Sequence, residues 1–175
     1  MDINTIIAQV LGGIALILVC IGYFVKTKST FMIIQVVANF FYASAFFVVG
    51  AFVGAGLVMI SLFRCIYLYF CEKYTFKYTL HFLTIFITLY IVTTILLWQS
   101  PFDLMPLSSS LLFTLGYTIQ NLQTMRYVLI APNAILVVYN IITTTYTSAL
   151  LDFIEVVVII VAIVKCIKES NNTIK

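Results

Sequence analysis

Long apolar runs separated by short polar breaks organise this chain. Four breaks carry charge or amide character: KTKST (26–30), EKYTFK (72–77), QSPFD (99–103) and LQTMR (122–126). Two further breaks, near Gly50 and near Thr144, are uncharged. Cutting at all six predicts apolar helices at roughly 4–25, 31–50, 51–71, 78–98, 104–120, 127–143 and 146–167. The uncharged breaks are read as tight turns, because a merged helix would far exceed the ~20 residues that cross a bilayer. The runs are continuous and lack period-two alternation, which is the pattern of membrane helices and not of barrel strands.

Composition turns these helices into membrane spans. Of 175 residues, 63% are hydrophobic and 9% charged, with a mean hydropathy of +1.17. Soluble domains run at roughly 45–50% apolar and ~25% charged, so a water-soluble fold is excluded. No hydrophilic stretch is long enough for a soluble domain, and a single transmembrane domain over 1–175 is expected. The opening MDINTIIAQVLGG has neither a positive n-region nor a small-residue cleavage site, so the first span is expected to be retained.

Charge supplies an orientation. With seven spans, all nine basic residues fall toward one side: Lys26, Lys28, Arg64, Lys73, Lys77, Arg126, Lys165, Lys168 and Lys175. The other side receives Asp2, Asp103 and, deeper, Asp152. By the positive-inside rule the N-terminus is outside and the C-terminus cytoplasmic. Tyr67, Tyr69, Phe70, Tyr74, Phe76 and Tyr78 crowd the inner end of spans 3 and 4, and Trp98 marks the outer end of span 4. Cys20, Cys65, Cys71 and Cys166 lie in inner halves without CxxC spacing, so neither disulfides nor a metal site is indicated. His81 reads as an interfacial histidine, with a proton relay as the alternative.

Sliding the chain on itself by 94 residues lays spans 1–3 over spans 5–7. Gly22-Tyr23 then meets Gly116-Tyr117, Asn39 meets Asn133, and Ala55, Leu57 and Ile60 meet Ala149, Leu151 and Ile154. The fold expected is all-α, with two parallel three-helix repeats (4–71 and 104–167) joined by a linker helix (78–98), a 3+1+3 order. Asn39 lies about 12 Å deep at ~1.5 Å per residue, near the bilayer centre, and Asn133 matches it directly after Pro132. Proline removes a backbone donor and should kink its helix. The two asparagines either line a polar cavity or hydrogen-bond neighbouring helices.

Asp152 and Glu155, three residues apart in SALLDFIEVVVIIVAIVK (148–165), share one helix face. A charge at a helix centre costs about 2.5–3.5 kcal/mol on insertion scales, so this face looks inward. Arg64 is the basic residue deepest in a span and lies by depth within roughly 5–6 Å of Glu155; it either pairs with an acid or snorkels to the cytoplasmic surface. The acids form either a static ion pair or a polar site, to which Asn140, Thr143–Thr145 and Ser148 would contribute. The run GAFVGAG (50–56) suggests close helix contact around span 3, and SSS (108–110) a polar inward face.

These residues carry a resemblance. AQ at 8–9 opens span 1, Arg64 follows Gly50 by fourteen residues, and LMP (104–106) opens span 5. TMR (124–126) precedes span 6, and Tyr139-Asn140 is followed twelve residues later by an acid, Asp152. In this order the motifs resemble the YgjV family of small bacterial inner-membrane proteins, where that acid is usually glutamate; Glu155 is not part of the pattern. Glycines that follow the asparagine in the family are replaced here by TTTYTS. The family looks similar in architecture to SWEET, PQ-loop and nicotinamide-riboside (PnuC-type) transporters, which implies a solute pathway between paired three-helix bundles. The Pro-Gln pairs of PQ-loop proteins are missing here.

The function expected is transport or facilitated passage of a small polar metabolite, with Asn39, Arg64, Asn133, Asn140, Asp152 and Glu155 as pathway or substrate-binding residues. The competing expectation is a structural or accessory membrane protein whose buried charges serve packing. No G-x-S-x-G, H-E-x-x-H or phosphate loop is present, so neither enzyme activity, a cofactor nor a metal is expected. The net charge of +3 is explained by topology, and no nucleic-acid partner is expected. The partners expected are the lipid bilayer and the solute.

Overall fold

The computed structural model describes residues 3–50, 52–74, 80–96, 98, 100–143 and 146–173. Asp2, Phe76, Lys77, Tyr78, Lys175 and the expected turn at Thr144 lie outside these. The described residues form seven α-helices and no strand: α1 (Ile3–Gly22), α2 (Lys28–Val48), α3 (Phe52–Lys73), α4 (Leu80–Leu96), α5 (Leu104–Thr118), α6 (Leu122–Ile142) and α7 (Tyr146–Thr173). A single 3-10 turn, Pro101–Asp103, precedes α5. The all-helical class and the count of seven agree with the apolar pattern. Four helical stretches are long and apolar enough to cross a membrane: α1, α2, Ala55–Lys73 of α3, and α6. The helices α4 and α5 have 17 and 15 residues, and α7 carries two acids in its first half.

The starts of α2 and α6 differ from the expected 31 and 127. Each begins at a polar side chain that caps it. Thr27 accepts the Thr30 N–H at 3.3 Å, and Asn121 accepts the Gln123 and Thr124 N–H groups at 2.9 and 3.2 Å. An N-cap satisfies donors that the first helical turn leaves open, worth about 1 kcal/mol. The polar breaks are therefore wound into the first turns of helices. Likewise α7 continues past 167 through its charged tail to Thr173. Pro132 sits inside α6, which runs unbroken from Leu122 to Ile142.

The chain divides into two compact units, residues 1–99 and 100–175. In the first, α2 packs against both α1 and α3, and α4 lies on α3. Its core includes Ala15, Tyr23, Phe31, Met32, Ala55, Cys65 and Tyr90, all at most 1% exposed. In the second, α6 packs against both α5 and α7, around Ser109, Met125, Leu129, Asn133 and Ile159, again at most 1% exposed. Val10, Ile17, Phe40, Phe63, Leu150 and Val164 stay exposed, as side chains facing lipid do and side chains facing water in bulk do not.

Helices approach closely at Gly22 and Gly116. A Cβ on Gly22 would meet Ile34 Cγ2 at 3.3 Å, and one on Gly116 would meet Leu129 Cδ2 at 3.0 Å. Small residues at such crossings let helix backbones come together without a solvent-driven force. The expectation for GAFVGAG is corrected in part. Ala55 is fully buried, but a Cβ on Gly50 or Gly56 would meet nothing within 4 Å. Gly50 serves the turn instead: its φ of +72° is the left-handed region that glycine enters without steric cost. Residues 51–54 of the run include side chains outside the described set.

Candidate functional site

In the second unit, Asn140 in the last turn of α6 donates its side-chain N–H to Asp152 Oδ2 of α7 at 2.6 Å. The two helices are joined by a short connection and run antiparallel, so residues on either side of it meet. Both side chains are half-buried. A hydrogen bond to a carboxylate is shorter and roughly twice as strong as a neutral one, and it gains further where water is scarce. Glu155, also half-buried, follows Asp152 by three residues and shares its helix face. Thr143 Oγ donates back to the Tyr139 carbonyl at 3.0 Å, which closes α6 just beyond Asn140.

Asn133 is 1% exposed and donates to the Leu129 carbonyl of its own helix at 2.8 Å. Beside it the Pro132 carbonyl accepts the buried Ser109 hydroxyl of α5 at 3.0 Å. Ser109 is thus the inward member of the serine run, whereas Ser108 donates to the Met105 carbonyl of its own helix at 2.8 Å. At the other end of α6, Gln123 Oε1 accepts a hydrogen bond from Arg126 at 3.0 Å. Gln123 also reaches across to the Ile163 carbonyl of α7 at 3.4 Å.

In the first unit, Asn39 repeats the pattern of Asn133. Its amide donates to the Gln35 carbonyl one turn back at 2.7 Å, and reaches Cys65 Sγ on α3 at 3.8 Å. Arg64 is 4% exposed, with its guanidinium carbon 5.7 Å from the centroid of the Tyr90 ring on α4. A desolvated cation over an aromatic face gains on the order of 2 kcal/mol. The Tyr90 hydroxyl in turn shares a 2.8 Å hydrogen bond with Ser61. Ser61 and Arg64 are three apart on α3, so one face of that helix meets one tyrosine of α4 twice. His81 is exposed near the start of α4.

Of the six residues expected to form the site, the structure joins Asn140 to Asp152 and sets Glu155 beside them. Asn39 and Asn133 each spend an amide on their own helix, while Arg64 belongs to the first unit. Reading the sequence missed Tyr90, Ser61 and Gln35, the last buried with a side-chain N–H that no described residue accepts. It also missed the ion pair of Lys28 with Glu72 at 3.5 Å, in which the lysine side chain is 3% exposed. That signal was present: the two opposite charges are equally far from the Gly50 turn, as partners in an antiparallel hairpin must be. Lys28 and Arg126, both expected toward the basic side of the membrane, are 5% exposed: Lys28 opens α2 and Arg126 stands one turn into α6, each in a helix packed against two neighbours.

Curated proteins and solved structures give no match to this chain. A family model described as bacterial inner membrane protein matches residues 6–170, nearly the whole sequence, and agrees with the motifs running from AQ at 8–9 to Asp152. The chain therefore belongs to the YgjV family of bacterial inner-membrane proteins.

Proposed function

We propose that this inner-membrane protein is a transporter or facilitator of a small polar metabolite, without catalytic activity of its own. The observation that carries the proposal is the Asn140–Asp152 contact. A charge at a helix centre costs about 2.5–3.5 kcal/mol on insertion scales and is rarely kept without a functional role, and here Asp152 has Asn140 as a donor and Glu155 as a second acid on its face. On this reading α1–α3 and α5–α7 are two three-helix repeats joined by the linker helix α4.

The 94-residue offset supports that arrangement. Helix α6 starts and ends 94 residues after α2, and α7 starts 94 residues after α3. Capping side chains stand at Thr27 and Asn121, close glycine crossings at Gly22 and Gly116, and back-bonded amides at Asn39 and Asn133. Seven spans with the N-terminus outside and the C-terminus cytoplasmic put the basic residues on one side.

A second reading has its own support. Asn39, Asn133 and Ser109 all bond protein backbone, as packing groups of an accessory membrane protein would. The test is a thermal-shift screen of the purified protein in detergent against polar metabolites, with Asp152→Asn alongside. A compound that stabilises the native protein but not the variant supports a binding site at Asp152. If no compound binds and Asp152→Asn alone melts far lower, the acid is structural and the accessory reading takes over.

A further inference from the structure

Gln35 stands out in the seam between α2 and α3. It is 5% exposed, and its side-chain Nε2 has no hydrogen-bond partner among the described residues. Its place on α2 is fixed from both sides. Lys28, seven residues before, crosses to Glu72 of α3, and Asn39, four residues after, crosses to Cys65 of α3. Positions 28, 35 and 39 share a helix stripe, so Gln35 lies on the stripe that faces α3. It lies about 10 Å above the start of α2 at ~1.5 Å per residue.

An open buried donor destabilises a protein, since the desolvation of the amide is not recovered. Such a group is retained either because the scaffold needs it or because something else binds it. The second unit indicates which. At the 94-residue offset Gln35 corresponds to Leu129, which is fully buried, packs against Gly116, and offers its carbonyl to Asn133. Gln35 offers its carbonyl to Asn39 in the same way. The backbone role is therefore filled equally well by leucine, and the glutamine side chain is not required for it.

We propose that Gln35 is a solute-binding residue, whose side-chain N–H donates to an acceptor oxygen (carbonyl, carboxylate or hydroxyl) of a small polar molecule in the α2–α3 seam. The proposal rests on the transport reading and adds to it a binding residue in the first unit and a hydrogen-bond acceptor on the substrate. The donor explains why a purely apolar seam would not serve.

Gln35→Leu, which installs the residue of the second unit, and Gln35→Met, which keeps an unbranched shape, separate binding from scaffolding. The full-length variants in detergent are melted alone and with amino acids, monosaccharides, nucleosides and short carboxylates. At least one variant is expected to melt roughly 2–6 °C higher than the native protein, because an unmet donor has been removed. Any compound that stabilises the native protein is expected to lose most of its shift in both. If both variants melt lower, Gln35 holds the helices together, directly or through a buried water, and the proposal falls. It also falls if a stabilising compound keeps its full shift in both variants. Should no compound stabilise even the native protein, the transport reading fails, while the sign of the melting shift still decides whether Gln35 is scaffold.

Discussion

The two units solve the same packing problem and differ in where they keep their polar groups. In each, a central 21-residue helix starts at a polar cap and packs against two neighbours, one of them across a glycine. Each central helix also folds an asparagine amide back onto its own carbonyl. The polar links between helices are not shared. The first unit has Lys28–Glu72 and the Ser61–Tyr90–Arg64 cluster, whereas the second has Asn140–Asp152 near the connection of α6 and α7. At the offset, Asn140 and Asp152 correspond to Phe46 and Val58, which have no polar side-chain atom. Features common to both units thus belong to the scaffold, and features confined to one are where chemistry is to be sought.

The comparison breaks most readily at the glycine crossings. Gly116→Val is expected to destabilise the protein by about 2–3 kcal/mol through overpacking against Leu129, and Gly22→Val by about 1–2 kcal/mol, since its neighbour is further away. Denaturant unfolding in detergent would reveal an equal or reversed pair of losses if the crossings are not as described. Next comes the contact confined to the second unit. Asn140→Leu leaves the Asp152 carboxylate without this donor and should cost about 2 kcal/mol, whereas Phe46→Leu should cost no more than about 1 kcal/mol. A double-mutant cycle of Asn140→Leu with Asp152→Asn measures the coupling directly.

Tyr90→Phe sharpens the picture of the first unit. It removes the hydrogen bond to Ser61 but keeps the ring beneath Arg64, and a loss of about 1 kcal/mol is expected. Tyr90→Leu should cost distinctly more, because the cation then loses its aromatic face as well. The smallest effects are those that should match. Thr27→Ala and Asn121→Ala each lose about 1 kcal/mol of capping, and thermal melts of the two should differ little.

Much of the fold was legible because membrane helices announce themselves by length and apolarity; the starts of α2 and α6 were not, because the caps Thr27, inside one polar break, and Asn121, just before another, wind those breaks into the helices. The Asn140–Asp152 contact was half legible: the two residues flank a short connection, and antiparallel geometry brings such residues together. What could not be read was register between helices that are not joined by a tight turn. The meeting of Arg64 with Tyr90 depends on how α4 rotates about its axis, which an evenly apolar helix does not encode. Nor does composition reveal a rotamer. Asn39 and Asn133 were expected to face a cavity or a neighbouring helix; each amide donates to the carbonyl one turn back, and Asn39 also reaches Cys65 of α3.

The brevity of α5 reaches beyond the protein itself. Its 15 residues rise about 22 Å at ~1.5 Å each, against a hydrocarbon thickness of about 30 Å. Just before it, the Asp103 carboxylate accepts the Ser100 N–H at 2.8 Å, so the chain is polar and folded tightly where a longer helix would continue through oil. On the seven-span arrangement, lipids beside α5 must compress their acyl chains or part of this turn must sink into them. The protein should accordingly be more stable in bilayers of shorter-chain lipids, and membrane thickness becomes one of the forces that shape it.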